Sequence, residues 1–372
     1  MSERKTPPFR ADHVGSLLRP QKLREARAQR LNGAISAADL AKVEDEAIRA
    51  AVKLQEDVGL KVATDGEFRR TSWSGDFLQG ISGIKQVPGK LNVRFHSHEG
   101  SLEQSPPAMR TEAKLGRPKP ITVEDFKFVK SVTKVTPKMT IPSPTMIHFR
   151  GGRDQVDKNV YPEMDGFFAD LAAIYAGEIA DLAAAGCRYL QLDDTNYAYL
   201  CDPELRRQVR SNVGENPDEL PHTYAKLVNA AIAKRPKDMV VCMHICRGNA
   251  RSAWVAEGGY EPVAESLFQE LDLDGYFLEY DSLRAGDFQP LRYVPRGKII
   301  ILGLVTTKLP KLETKDELKR RIDEAAHYVP LEQLALSPQC GFSSTHEGNK
   351  VTVEDEIAKL RLVVEVAQEV WG

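Results

Sequence analysis

Long apolar runs are missing from this chain. The longest, Lys298-Ile-Ile-Ile-Leu-Gly-Leu-Val305, falls well short of the ~20 residues a membrane-spanning helix requires. No apolar segment follows the charged N-terminus as a signal peptide would demand, so no membrane partner is expected and the expected location is the cytoplasm. Charge of one sign is missing too. Lys plus Arg (51) and Asp plus Glu (53) leave a net charge of -2, which gives no basic stripe for nucleic acid and points to a small-molecule partner. Five cysteines, Cys187, Cys201, Cys242, Cys246 and Cys340, are too few and too scattered for a disulfide scaffold in 372 residues. Reduced thiols or metal ligands remain. Also absent after the first strand is the G-x-G-x-x-G fingerprint of dinucleotide-binding sheets.

With 42% hydrophobic residues, the chain can bury a large core. The length allows two domains, and residues 1–372 are read as one, because barrels with insertions reach this size. Eight short apolar or β-branched runs alternate with helical patterns: approximately 11–16, 60–67, 138–147, 188–194, 239–246, 275–281, 298–305 and 334–341. Leu171, Ile174, Tyr175, Ile179 and Leu182 share one helical face, as do Ile357, Leu360, Val364, Ala367 and Trp371. Helix stops at Ala185-Gly186 and Arg235-Pro236 precede the fourth and fifth strands. This alternation predicts an α/β fold, a (β/α)8 TIM barrel, over an open doubly wound sheet. The Gly-, Pro-, Lys- and Ser-rich stretch 83–137 reads as an insertion after strand two, a hairpin or lid over the barrel mouth; a solvated loop is its plainer reading.

Barrel chemistry sits at the C-terminal ends of the strands, and those ends are rich in polar groups here. They carry His13-Val-Gly-Ser16, Asp65-Gly-Glu67, Asp193-Asp194, His244-Ile-Cys246, Glu279-Tyr-Asp281 and Cys340-Gly341. His244 and Cys246, two apart on a strand, project to one face. With Cys340 and Glu279 they complete a tetrahedral set of one imidazole, two thiolates and a carboxylate, which selects Zn²⁺. The carboxylate is the exchangeable member, to be replaced by a substrate thiol. A thiolate-rich site leaves a bound thiol nucleophilic and suits alkyl transfer better than hydrolysis. The plainer alternatives are that strand-end cysteines are small buried hydrophobes, and that Glu67, Asp193 and Glu279 are ordinary strand-end acids or helix caps. Cys242, Cys187 and Cys201 are assigned to structure.

The motifs HVGS (13–16), DGE (65–67), QLDD (191–194), HIC (244–246), LEYDS (278–282) and PQCG (338–341) occur in order over nearly the whole chain. Together they resemble the catalytic C-terminal barrel of cobalamin-independent methionine synthase, and more closely its short single-barrel relatives. The resemblance implies Zn²⁺ held by His244, Cys246, Glu279 and Cys340. It implies a homocysteine site at His13, Val14, Gly15, Ser16, Glu67 and Asp193, where acids suit an ammonium group and N–H and hydroxyl donors suit a carboxylate. The implied activity is methyl transfer to the thiol of homocysteine to give methionine, from methyltetrahydrofolate or another methyl carrier. A zinc-dependent transferase of the epoxyalkane:coenzyme M type is the alternative. Three departures concern the donor side. Lys308 stands where the synthase has a proton-donating His, Phe149 stands near its folate-contacting Trp, and no acid within Asp194-Thr-Asn-Tyr-Ala-Tyr199 matches the one after its strand-four pair. His148, His346 and Lys308 are the candidates for proton handling. A structural zinc in a non-catalytic scaffold fits less well, since structural ligands usually cluster in sequence. A homodimer is compatible with the sequence.

Overall fold

The computed structural model describes residues 4–97 and 99–372. Its strands are β1 (Val62–Ala63), β2 (Ser82–Val87), β3 (Val93–Ser97), β4 (Gly100–Gln104), β5 (Ala108–Gly116), β6 (Thr136–Pro137), β7 (Met139–Pro142), β8 (Tyr189–Asp194), β9 (Val240–Ile245), β10 (Gly275–Glu279), β11 (Ile299–Val305) and β12 (Leu334–Pro338). The six strands β7 to β12 form one parallel sheet in chain order. All their residues are buried except Val240, which is half-buried, as expected for strands covered on both faces. β1 pairs in parallel with β6, which leads into β7. The predicted first strand, 11–16, is extended but makes only one ladder bridge, Ala11 to Leu336 of β12. On its other side Thr64 Oγ1 donates to Gly15 O at 2.7 Å and Leu17 N donates to Gly66 O at 3.1 Å. This segment thus lies between β12 and β1, bonded to both, with pairing that is partly side-chain.

Alternation along the strands fills the ring's interior. Phe9, Val14, Val62, Tyr189, Cys242, Phe277, Ile299, Ile301 and Ala335 form its apolar plug, which places Cys242 in the core. Within it Lys138 Nζ lies 3.2 Å from Asp12 Oδ1, both side chains fully buried. Tyr189 OH donates to Asp12 Oδ2 at 2.8 Å, and Lys138 Nζ sits 4.2 Å from the Phe277 ring centre. Such a pair survives burial only because both partners are otherwise satisfied.

The helices follow the predicted faces. Helix Met164–Ala184 buries Leu171, Ile174, Tyr175, Ile179 and Leu182, then Gly186 at φ +96° turns the chain toward β8. Helix Val353–Trp371 starts from a capping box at Thr352 and Asp355 and buries Leu360, Ala367 and Trp371, with Ile357 and Val364 half-buried. Among the described residues no helix is long and apolar enough to cross a membrane.

Between β1 and β6 lie two antiparallel pairs, β2 with β5 and, nested inside, β3 with β4. The inner hairpin reaches across to the loop after β9, where His96 N donates to Trp254 O at 2.7 Å and Trp254 N to His96 O at 2.9 Å. The end of the 83–137 stretch belongs to the barrel layer: helix Val123–Val132 buries Phe126 and Val129, and β6 pairs with β1.

Candidate metal centre and substrate cavity

Strand register brings the candidate ligands together. β9 pairs with β8 so that His244 lies beside Asp193, and with β10 so that His244 lies beside Phe277, two residues before Glu279. Partners in a parallel ladder share a face, so all three point inward. Cys340 arrives by a different route. A register shift lies between Gly303 and Val305 where β11 meets β12. A Cβ on Gly303 would sit 2.7 Å from both Gln339 Cα and Leu278 O, so the missing side chain lets the Gln339-Cys340 backbone cross close to the lumen. The result is that one ligand atom from each of His244, Cys246, Glu279 and Cys340 lies within 4.8 Å of the others.

The local chemistry fits a cation. Both ring nitrogens of His244 are buried with no hydrogen-bond partner, and Cys246 Sγ lies 3.6 Å from Cys340 Sγ. Contact with the Cys246 thiol, aided by the nearby His244 ring, holds the Cys340 thiol well below the ordinary range, while the same contact and burial push Cys246 up. Two sulfurs this close to an unpartnered imidazole and a carboxylate suit a divalent ion, which binds thiolates and displaces their protons. Glu279 accepts from Arg247 N at 2.9 Å and from Arg284 Nη2 at 3.3 Å.

A cavity of about 310 Å³ opens over this cluster, and Val14, Ser16, Glu67, Asp193, His244, Cys246 and Cys340 all line it. Gly15, at φ +135°, keeps the first segment against the wall, since a Cβ there would be 2.9 Å from Thr140 Cγ2. Glu67 holds φ +62° directly after Gly66, a conformation that costs a non-glycine residue about 1 kcal/mol or more and tends to mark functional sites. Its Oε1 accepts from Thr140 Oγ1 at 3.2 Å and lies 3.4 Å from Arg70 Nη1, whereas Oε2 is buried without a partner. Burial raises the Glu67 pKa. Asp193, accepting from Gln191 Nε2 at 2.7 Å, is pushed up to about 7 by burial and then by the Glu67 charge. Two such carboxylates lining one cavity repel each other, and a cation bound there relieves that repulsion.

Several predicted residues stand elsewhere. His13 is buried, and burial together with Lys138 lowers its pKa to about 3; its carbonyl accepts from Lys138 Nζ at 2.5 Å, and its ring is not on the cavity wall. After β7 the chain winds into a 3-10 turn, Pro144–Ile147, which directs His148 outward between helices. There Nδ1 meets Tyr224 OH at 3.0 Å and Nε2 lies 3.4 Å from Glu215. Phe149 is fully buried and packs 6.1 Å from the Tyr199 ring, while Met146 and Arg150 of the same turn line the cavity instead. His346 is exposed beside Glu347 at 3.3 Å. Lys308 is buried just behind the wall, where its Nζ donates to the cavity-lining Asn249 Oδ1 at 3.1 Å and to Ala253 O at 3.2 Å, and its charge acts on the Cys246 thiol. Sequence reasoning missed Trp73, Arg150, Tyr199 and Asn249 on the wall, and Arg284 behind Glu279. The available signals were an aromatic in the polar TSWSG run and an arginine three residues after Asp281.

Residues 9–369 match the family model described as the catalytic domain of cobalamin-independent synthase. The chain belongs to the cobalamin-independent methionine synthase family. It is 46% identical over 372 residues to the uncharacterized protein YxjG of Bacillus subtilis (strain 168), covering 99% of this chain and 96% of that one. A methionine synthase of Pyrococcus abyssi is 26% identical, over 87% of this chain and 82% of its own length. A 5-methyltetrahydropteroyltriglutamate–homocysteine methyltransferase of Thermosynechococcus vestitus is 23% identical over 98% of this chain but only 43% of its own. Among solved structures, a Listeria monocytogenes protein described as a candidate vitamin-B12-independent methionine synthase superposes with TM-score 0.77 at 37% identity, over 99% of this chain and all of the other. A B12-independent methionine synthase of Shewanella sp. W3-18-1, at 19% identity and TM-score 0.72 over 97% of each chain, shares the fold.

Proposed function

We propose that residues 1–372 act as one zinc-binding catalytic domain that moves a methyl group onto the thiol of homocysteine to give methionine. The observation that carries this reading is the convergence of His244, Cys246, Glu279 and Cys340 within 4.8 Å beside a cavity that also holds Glu67 and Asp193. Zinc, when bound by these four residues, supplies a substrate sulfur kept as a nucleophilic thiolate at neutral pH. Glu67, with its unpartnered Oε2, and Asp193 take the α-ammonium group. The Ser16 hydroxyl and the backbone of Val14 and Gly15 receive the α-carboxylate. With both ends of the amino acid fixed, its sulfur points along the cavity toward the cluster, which turns a two-body encounter into a positioned displacement. The S–CH3 bond forms as the donor–CH3 bond breaks, the electron pair of the broken bond stays on the donor, and the thiol proton passes to solvent or to the demethylated donor.

The names methionine synthase and homocysteine methyltransferase among the relatives favour homocysteine over the coenzyme M and epoxide pair. The methyl donor is methyltetrahydrofolate or another methyl carrier. The test is X-ray absorption of the zinc-loaded enzyme with and without homocysteine, joined to a donor screen using methyltetrahydrofolate with one and three glutamates, methylcobalamin and small methylated sulfur compounds. An added sulfur neighbour at zinc and methionine from one donor are expected. An unchanged zinc environment together with no methionine from any donor sinks the reading and leaves a structural metal.

A further inference from the structure

Outside their own cluster, three of the four metal-site side chains touch almost nothing polar. His244 has no hydrogen-bond partner on either nitrogen, Cys246 meets only Cys340, and Cys340 adds one 4.0 Å contact to Ser344 Oγ. Glu279 differs, because both of its oxygens already accept: Oε1 from Arg247 N at 2.9 Å and Oε2 from Arg284 Nη2 at 3.3 Å. Arg284 is in turn fastened to Asp281 Oδ1 at 2.5 Å, with its side chain only 9% exposed and those of Glu279 and Asp281 at 0% and 2%. Its guanidinium carbon stands 5.3 Å from the Trp254 ring centre.

We infer that Arg284 is a positioning residue that makes Glu279 the most readily exchanged of the four donors. The inference rests on the proposed zinc site. A charge-assisted bond draws carboxylate electron density toward the guanidinium, and at this depth little solvent screens it. Glu279 is thereby a weaker donor to a metal than it would be alone. When an incoming thiol takes its place, the carboxylate is not stranded as a buried unpaired charge, a state that is strongly disfavoured. Asp281 keeps Arg284 in position whichever way Glu279 turns.

The sign of the expected effect separates this role from a merely structural one. In Arg284→Gln, Glu279 loses its competing cation and holds zinc harder. Release of zinc from the holoenzyme to the chelator 4-(2-pyridylazo)resorcinol should slow about tenfold, while homocysteine affinity measured by calorimetry falls about tenfold, the scale expected for one charge-assisted hydrogen bond. Arg284→Lys keeps the charge but loses the fork, so both quantities should move the same way by less; it also decides the matter if the Gln variant fails to fold. Zinc release that is unchanged or faster in these variants, or homocysteine affinity equal to that of the wild type, overturns the assignment. A wild-type protein that holds no zinc, or holds it and ignores homocysteine, instead sinks the proposed function.

Discussion

At the floor of the cavity His244, Asp193 and Glu279 are set by strand register and by fully buried neighbours, whereas the roof is assembled from loops and a hairpin held by exposed contacts. His244 and Asp193 are ladder partners, and Glu279 ends β10 with no exposed surface. The roof borrows Phe95 from β3 and Met109 from β5, and the hairpin turn between β3 and β4 is tied to the far wall by an exposed pair between Glu99 and Lys350. Chemistry that needs atoms placed to a fraction of an ångström belongs on the first kind of scaffold. Recognition of a partner that must enter and leave suits the second.

The comparison breaks most easily at the floor. Cys340→Ser should abolish zinc retention and turnover together, a loss well beyond the roughly 10- to 100-fold that follows removal of a ligand's own partner. Metal content by mass spectrometry and a methionine assay check it, and an active zinc-free variant would falsify the floor's role. Asp193→Asn should leave zinc in place but weaken homocysteine by on the order of 10- to 100-fold, because a buried charge pair loses one partner.

Asp193 also gives the floor a pH signature. Its folded pKa of about 7 lies above the ordinary value of 3.8, so between those values the folded state binds more protons than the unfolded one. This group therefore lowers stability as pH rises through that window. Without ligand, Tm should fall from pH 5 to pH 8; saturating homocysteine should flatten the slope, and so should Asp193→Asn. A slope that persists in the Asn variant assigns the effect to another group.

The smallest effect is expected at the roof. Glu99 and Lys350 are exposed by 71% and 47%, so Glu99→Gln should change turnover by less than about twofold, as is usual for exposed pairs. A tenfold loss would mean that the hairpin turn is as tightly specified as the floor.

Legibility followed the same division. The candidate ligands His244 and Cys246 were readable as a pair because H-x-C on a strand fixes two side chains on one face, and the helices because their buried residues recur with helical spacing. The first strand was readable only as an extended segment, since its pairing runs partly through the Thr64 hydroxyl. Placement failed in the loops. His148 and Phe149 are two and one residues from Arg150, yet the winding that begins with the 3-10 turn sends them into the helical layer and gives the cavity Met146 and Arg150. Nothing in the local pattern says which residue of such a turn faces inward. Lys308 does lie beside the site, held by oxygens of the cavity-lining Gly248 and Asn249, about 60 residues earlier in the chain.

By itself the sequence determined the alternation of strands and helices, the composition of the metal set and the acids that accompany it, because side-chain period and residue chemistry are local properties. Only the tertiary structure decided that Cys340 meets Cys246 across a register shift that Gly303 permits, that Glu67 and Asp193 share one water-poor space, and that Arg284 stands behind Glu279. Those facts depend on how distant segments approach each other, and burial turns the approach into shifted acidities and competing bonds.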